Sequence, residues 1–136
     1  MTEDEAPEFF RSNHRAVLAT RRRDDGVQMS PVVMCTDDDG TLMVSSRETA
    51  MKNRNLRRDP RGVLCVMNDR FFGEWAFAEG PVIVESLPGA MDSLVRYYRY
   101  VAGEHPDWDD YRAAMVREQR VILRMTVERV GPNRQG

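Results

Sequence analysis

Residues 15–47 read RAVLATRRRDDGVQMSPVVMCTDDDGTLMVSSR, and this stretch decides the fold. Three segments rich in apolar residues are separated by DDG at 24–26 and DDDG at 37–40. Aspartate tolerates and glycine supplies the positive φ angles of tight turns, so the stretch predicts two successive β-hairpins. The predicted strands are 15–23, 27–36 and 41–47.

The rest of the chain alternates between helix and strand patterns. Residues 5–13 predict a short amphipathic helix anchored by Phe9 and Phe10, and residues 49–59 predict a helix that stops before Pro60. Gly80-Pro81 interrupts a later strand and indicates a bulge or a sheet edge. The other predicted elements are strands at 61–68, 74–85 and 121–127, a helix at 91–102, and a helix capped by Asp107.

The order of these elements predicts a mainly β protein. Six antiparallel strands, with one helix after the third strand and two before the last, favour a closed or partly closed barrel. A barrel this small is filled by its own side chains, so a ligand must lie in an outer groove. A second subunit often completes such a groove, and we therefore expect a homodimer. The 136 residues fit one domain, 1–136.

Composition excludes several classes of protein. Hydrophobic residues make up 41% and charged residues 31%, which is typical of a globular protein. No apolar run approaches the roughly 20 residues of a membrane helix, and the acidic N-terminus resembles no signal peptide, so we expect a cytoplasmic protein. The net charge of −2 argues against nucleic acid as a partner. Cys35 and Cys65 form no short-spaced pair, and His14 and His105 have no metal-ligand spacing.

A candidate anion site lies at 45–52. Ser45, Ser46 and Arg47 end a strand, and Lys52, the only lysine of the chain, follows in the first turn of a helix. Backbone N–H groups at a helix start, hydroxyls and cations favour a phosphate. An ordinary capped surface helix with solvated charges accounts for the same pattern.

A second candidate lies on the second strand. Gln28 and Ser30 are expected to face outward, where a flat heterocycle would lie against the strand and its exposed backbone groups; an ordinary wet barrel face fits equally well. The residues expected to face the core are Met29, Pro31, Val33 and Cys35. Trp75, at a strand start, suits core or interface packing, or a cofactor lid.

Catalytic constellations are missing from the sequence. It has no nucleophile elbow, P-loop or glycine-rich dinucleotide motif. Catalytic residues therefore stay unassigned, and a bound cofactor would have to carry the chemistry of an enzyme.

Several motifs together carry a resemblance to a known family. VLAT at 17–20, SPVV at 30–33 and KNRNLRRDPR at 52–61 occur in the order seen in pyridoxamine 5′-phosphate oxidase-like proteins. These motifs, with AGEHPDWDDYR at 102–112, resemble most closely the actinobacterial branch that uses coenzyme F420. The likeness runs from about residue 16 to residue 130.

The resemblance implies a homodimeric split β-barrel, like that of FMN-binding proteins, with two cofactor grooves at the interface. In relatives a second basic residue often precedes the lysine by two positions, where this chain has Ala50; Arg47 or Arg54 would have to replace it. The implied phosphate site is Ser45, Ser46, Arg47 and Lys52, with Asn55 supporting. The ring would lie along Gln28, Ser30, Pro31 and Val32, with Trp75 reaching in from the partner subunit.

The function implied is an F420-dependent oxidoreductase that transfers a hydride to an unsaturated small molecule. Tyr97, Tyr98 and His105 are candidates to line the substrate opening. One alternative keeps the fold and binds FMN, as an oxidase or flavin reductase. The other is a non-catalytic protein that carries F420 or FMN.

Overall fold

The computed structural model describes residues 1–132 as a closed six-stranded antiparallel barrel with an extra strand and four helices. The predicted fold class is therefore confirmed. The elements are α1 (Ala6–Ser12), β1 (Arg15–Arg21), β2 (Val27–Thr36), β3 (Leu42–Arg47), α2 (Met51–Arg58), β4 (Arg61–Met67), β5 (Trp75–Glu85), α3 (Met91–Ala102), α4 (Trp108–Arg117), β6 (Arg120–Met125) and β7 (Arg129–Gly131).

The barrel closes in the order β1–β2–β3–β6–β5–β4 and back to β1. Both predicted hairpins form, but they pair to different extents. β1 and β2 pair from Arg15↔Val33 to Arg21↔Val27. β2 and β3 pair only from Met34 to Thr36. The edge of β2 that faces β3 therefore has no strand partner from 27 to 33 within the described residues, and the barrel is split there.

β5 changes partners in its middle. Its first half, up to Pro81, pairs with β4, and its second half, from Val82, pairs with β6. Gly80 stands at the corner, where a Cβ atom would lie 1.9 Å from the carbonyl oxygen of Thr126. The interruption at Gly80-Pro81 thus marks a corner in a continuous strand. β7, which the sequence did not predict, pairs with the first half of β5.

The barrel interior forms the main hydrophobic core. Leu18, Met34, Leu64 and Leu123 are at most 2% exposed, and burial of such side chains contributes about 1.5–3 kcal/mol each. The predicted N-terminal helix is present as α1. Its Phe9 and Phe10 pack into this core.

A second core lies outside the barrel, on a surface that we call the helix-covered face. There the outer sides of β2, β3 and β6, through Cys35, Met43 and Ile122, pack against α3 and α4. Burial raises the pKa of the Cys35 thiol to about 12, so this cysteine stays a protonated, free thiol.

A charged network fastens α3 to this face. Asp37, buried in the β2–β3 turn, accepts hydrogen bonds from Arg96 Nε at 2.9 Å and Arg124 Nη1 at 2.7 Å. Arg124 also donates to Glu85 at 2.8 Å and to Ser93 at 2.9 Å. Burial acts to raise the pKa of Asp37, but the two arginines outweigh it and lower the pKa to about 2.

No helix within residues 1–132 covers the opposite outer surface, which we call the bare face. Its centre is apolar, and the charged side chains of β1, β4 and β5 lie at its rim. Met29 is 67% exposed and Val33 is 45% exposed. The bare face consists of Val17, Ala19, Val27, Met29, Pro31, Val33, Val63, Cys65, Met67, Trp75 and Phe77.

The predicted orientation of β2 is therefore wrong in its first part. Met29, Pro31 and Val33 face outward, whereas Gln28 and Ser30 are half-buried on the inner side. Only Cys35, beyond the split, is buried as predicted, and it is buried under the helices. The outer side of β2 is the more apolar one because it belongs to the two outer faces, whereas Gln28 and Ser30 lie on the inner side.

Among residues 1–132, no helix combines the length and apolar character needed to cross a membrane.

Candidate functional site

A groove of about 520 Å³ lies at the split between β2 and β3. The free edge of β2 forms one wall, the end of β3 and the start of α2 form its floor, and α3 and α4 form the other wall. The predicted site residues that line it are Pro31, Val32, Ser45 and Lys52. The predicted opening residues Tyr97, Tyr98 and His105 line it too.

The edge of β2 supplies backbone groups to the groove. The N–H of Met34 donates to the carbonyl oxygen of His14 on the β1 side, and in an antiparallel pair such groups alternate between the two edges. The backbone groups of 27, 29, 31 and 33 therefore face away from β1. One of these groups, the carbonyl oxygen of Val33, accepts a hydrogen bond from Tyr97 Oη at 2.9 Å.

Two cations meet at the floor. Lys52, in the first turn of α2, lines the groove together with Arg120 at the start of β6. Burial, and then the charge of Arg120, lower the pKa of Lys52. Glu118 and Asp110 also line the groove, and Glu118 pairs with Arg120. No carboxylate among residues 1–132 forms an ion pair with Lys52, so its ammonium is the group of the floor that suits an anion.

Glu118 fixes the arginines beside the floor. Its Oε1 accepts hydrogen bonds from Arg120 Nε at 3.2 Å and Nη2 at 3.0 Å, and from Arg47 Nη2 at 3.4 Å. The hydrogen bond from Arg120 is the main cause of the lowered pKa of Glu118. Arg47 therefore lies beside the groove rather than in its lining, and Arg120 takes the position of the second cation.

The two serines of β3 point in opposite directions. Ser45 lines the groove, but Ser46 is 3% exposed and faces the barrel interior, as strand alternation requires. Its Oγ has no hydrogen-bond partner within residues 1–132. The hydroxyl of Ser46 is therefore not available to a ligand in the groove, contrary to the prediction for it.

Asn55 supports the site indirectly, by fixing the position of α2. Its Nδ2 donates to Gln28 Oε1 at 2.9 Å and to Thr20 Oγ1 at 3.1 Å, inside the barrel. These bonds tie α2 to β1 and β2 and so fix the helix that carries Lys52. Gln28 and Ser30 are absent from the groove lining because they face inward.

Trp75 lies far from the groove of its own chain. Along one row of the sheet, Val33 pairs with Arg15, Arg15 with Met67, and Met67 with Trp75. Three strand spacings separate Trp75 from Val33, or roughly 14 Å. Trp75 is 39% exposed on the bare face, where only a second subunit would bring it to a groove.

The helical wall of the groove is aromatic. Tyr98 packs against His105 and Tyr111, with ring centroids 5.0 Å apart in both pairs. Burial raises the pKa of Tyr97 to about 12, so its hydroxyl stays protonated. His105 Nδ1 accepts from the Asp107 N–H at 2.9 Å, which fixes the ring beside the N-terminus of α4.

Comparison with known proteins identifies the family. The family profile described as pyridoxamine 5′-phosphate oxidase matches residues 2–133, nearly the whole chain.

The chain belongs to the pyridoxamine 5′-phosphate oxidase family. This is a family of flavin-binding oxidoreductases.

Solved structures agree on the fold. The conserved hypothetical protein Rv2991 from Mycobacterium tuberculosis is 23% identical with a TM-score of 0.76, over 96% of this chain and 82% of that one. A structure named F420 reductase is 17% identical with a TM-score of 0.70, over 91% of this chain and 94% of that one. An FAD-binding protein from Mesorhizobium loti is 18% identical with a TM-score of 0.66, over 96% and 92%.

The groove of this family member has the chemistry that a flavin-type cofactor needs. An unpaired ammonium beside a second cation suits an anionic tail. The unpartnered strand edge offers carbonyl and N–H groups to the polar edge of a flat ring. A volume of about 520 Å³ falls within the range of small-molecule sites.

Proposed function

We propose that this protein is an F420-dependent oxidoreductase that reduces an unsaturated small molecule. The observation that carries the proposal is the meeting of the free β2 edge with the Lys52–Arg120 pair in one groove. The motif 52–61, which resembles the F420-using branch, and the F420 reductase among the structural neighbours favour the deazaflavin.

The phosphate-bearing tail would be held at the floor. Lys52 supplies a point charge, Arg120 a guanidinium and Ser45 a hydroxyl donor. Arg120 would take the role of the second basic residue that relatives often carry at the position of Ala50. Asn55 keeps α2, and with it Lys52, in place.

The ring would lie along Pro31 and Val32, beside the free backbone groups of β2. When bound, the deazaflavin supplies a hydride to the acceptor. The protein then acts by orientation: the β2 edge fixes the plane of the ring, and the wall of Tyr97, Tyr98 and His105 limits access of water. No side chain in the groove is assigned as a proton donor, and solvent or a nearby arginine would supply the proton.

The homodimer is part of the proposal. The bare face is a broad apolar surface, and such surfaces mark interfaces between protein chains. Pro31 and Val33 belong both to the bare face and to the groove. Two copies packed by their bare faces would therefore place a groove of each subunit at the interface, where Trp75 of the partner subunit would reach it.

FMN is the second candidate cofactor, because an FAD-binding protein shares the fold and flavins also carry a phosphate and a flat ring. The test is to titrate the purified protein with F420 and with FMN, following quenching of each fluorophore. We expect F420 to bind more tightly. Quenching of FMN with none of F420 would overturn the assignment of the cofactor.

Activity is tested separately. Reduced F420 is incubated with the protein and a panel of enones, quinones and tetrapyrroles, and its reoxidation is followed by absorbance. We expect at least one acceptor to be reduced faster than in a control without protein. Tight binding with no reoxidation by any acceptor would instead favour a non-catalytic carrier of F420.

A further inference from the structure

The loop between β4 and β5, residues 68–74, carries two solvated phenylalanines. Phe71 is 86% exposed and Phe72 is 96% exposed, and their rings meet edge to face with centroids 4.8 Å apart. Exposed aromatic pairs lose the stabilisation that burial gives, so they indicate a surface that another molecule covers.

The loop holds this pair in a defined place. Asn68 N–H donates to the Glu74 carbonyl at 3.1 Å and closes the loop. Inside it, Arg70 N–H donates to Asn68 Oδ1 at 2.9 Å, and Gly73 N–H donates to the Arg70 carbonyl at 3.0 Å. The phenylalanines are thus presented by a hydrogen-bonded turn directly beyond the bare face.

The sheet register places this turn and the groove at the same level. Val33, at the groove, and Trp75, next to the turn, are the two ends of one row across β2, β1, β4 and β5. The turn begins at that row, and the groove also begins there and runs along β2 towards Pro31. Within one chain the two are about three strand spacings apart, roughly 14 Å, and do not meet.

A two-fold axis brings them together. If two bare faces pack about an axis parallel to the strands, between β1 and β4, then β2 of one subunit lies opposite β5 of the other. Rotation about such an axis preserves the level along the strands. The turn at 68–74 of the partner subunit then lies over the mouth of the groove.

We infer that Phe71 and Phe72 of each subunit form the outer wall of the groove in the other subunit. This inference rests on the proposed dimer and groove. It assigns to the mouth of the groove an aromatic surface that prefers a flat, apolar portion of a ligand, such as the ring of the cofactor or a planar acceptor. Each groove is then incomplete without the second chain.

Subunit mixing tests the inference with two defective variants. Lys52→Ala removes the tail contact, and the double variant Phe71→Ala/Phe72→Ala removes the aromatic wall but leaves its own groove floor intact. We expect each homodimer to bind the tighter of F420 and FMN at least roughly fivefold more weakly than the wild type. Ile83→Ala, which truncates an exposed side chain outside the bare face, is the matched control and should bind normally.

A mixed dimer distinguishes a wall donated by the partner from one within the same chain. In it, the intact floor of the Phe71→Ala/Phe72→Ala subunit meets the intact turn of the Lys52→Ala subunit, so one site of wild-type affinity should reappear per mixed dimer. No recovered site after subunit exchange, shown by mass spectrometry of tagged chains, would overturn the inference. Wild-type affinity in the double-variant homodimer would overturn it too, as would conversion of that variant to a monomer. Failure of the wild type to bind either cofactor would instead count against the proposed function.

A second measurement needs no ligand. In a Cys65→Ser background, one chain carries Phe72→Cys and the other carries Ala114→Cys, in the helical wall of the groove. A short bismaleimide should link the two chains in the mixture and neither variant alone. If the mixture gives no linked dimer, although sedimentation shows that dimers are present, the turn does not lie over the groove.

Discussion

The two outer faces of the barrel bury their apolar surface in different ways. On the helix-covered face, α3 and α4 supply a second core, fastened by Asp37, Arg96 and Arg124. On the bare face, an apolar sheet surface meets solvent in the single chain. The chain therefore covers its helix-covered face itself, and in the proposed dimer a second copy would cover the bare face.

The groove lies where these two faces meet. One of its walls belongs to the helix-covered face, through Tyr97 and Tyr98, and Pro31 and Val33 belong to the bare face. The helix-covered face thus contributes mainly to the stability of the subunit, and the bare face to the proposed completion of the groove by a second subunit. Substitutions on one face should change them differently from substitutions on the other.

The largest effect is expected at the centre of the bare face. Val17 lies between Pro31 and Cys65 there. Val17→Glu should weaken the dimer roughly a hundredfold or more, because a carboxylate would be buried without a partner. Sedimentation velocity measures this, with Ile83→Glu as a control outside the face. A dimer that survives Val17→Glu unchanged would mean that the bare face is not the interface.

An effect of comparable size, on the stability of the subunit, is expected on the helix-covered face. Asp37→Asn removes the carboxylate that pairs two arginines, and breaking a buried ion pair costs about 3 kcal/mol. The free energy of unfolding by urea should fall by that amount, while Asp38→Asn, at an exposed neighbour, should have little effect.

The same residue gives a pH dependence with a defined sign. The pKa of Asp37 is lowered from 3.8 to about 2 in the folded protein, so its contribution is present above pH 3.8. That contribution is lost as the pH falls through about 2. The difference in stability between wild type and Asp37→Asn should narrow over this range. A constant difference would mean that Asp37 acts by packing alone.

An intermediate effect, on cofactor binding, is expected in the groove, where the two faces meet. Lys52→Ala should weaken binding of the cofactor by about 1–3 kcal/mol, the range for loss of a charge-assisted contact. Arg54→Ala, an exposed cation on the same helix outside the groove lining, is the matched control. Equal losses in the two variants would show a general charge effect instead of a phosphate contact.

The smallest effect is on the stability of the ligand-free protein. The pKa of Lys52 is lowered on folding, so its charged form opposes folding at neutral pH, and this cost is relieved as the pH rises through the lowered pKa. Lys52→Gln should therefore raise the free energy of unfolding by roughly 0.5 kcal/mol, and the melting temperature should rise slightly with it. The gain should vanish at alkaline pH. A variant less stable than the wild type at pH 7 would contradict this account.

Local signals allowed most of the fold to be predicted. The turns DDG and DDDG located the first three strands, and apolar spacing located α3 and α4. β7 escaped prediction because a strand of three residues has too few positions to show alternation. The prediction reversed the two sides of β2 because its outer side is the more apolar one, and we expected the more apolar side to face the core.

Only the part of the site that is local in sequence could be predicted. Lys52 and Ser45 are near each other in sequence, and a local motif contains both. Arg120 comes from a distant strand, and only the β3–β6 pairing brings it beside Lys52. The inward direction of Ser46 follows from the register of β3, which two adjacent serines do not reveal.

Pro31 gives the open strand edge a further property. An unpartnered edge is a template on which a foreign strand can add, which leads to aggregation. Pro31 lies in the middle of this edge, at a position whose N–H would point into the groove, and proline has no N–H to donate. The edge therefore offers carbonyl oxygens to a small ligand but lacks the continuous row of hydrogen-bonding groups that an added strand needs. The binding site can thus stay open without promoting aggregation.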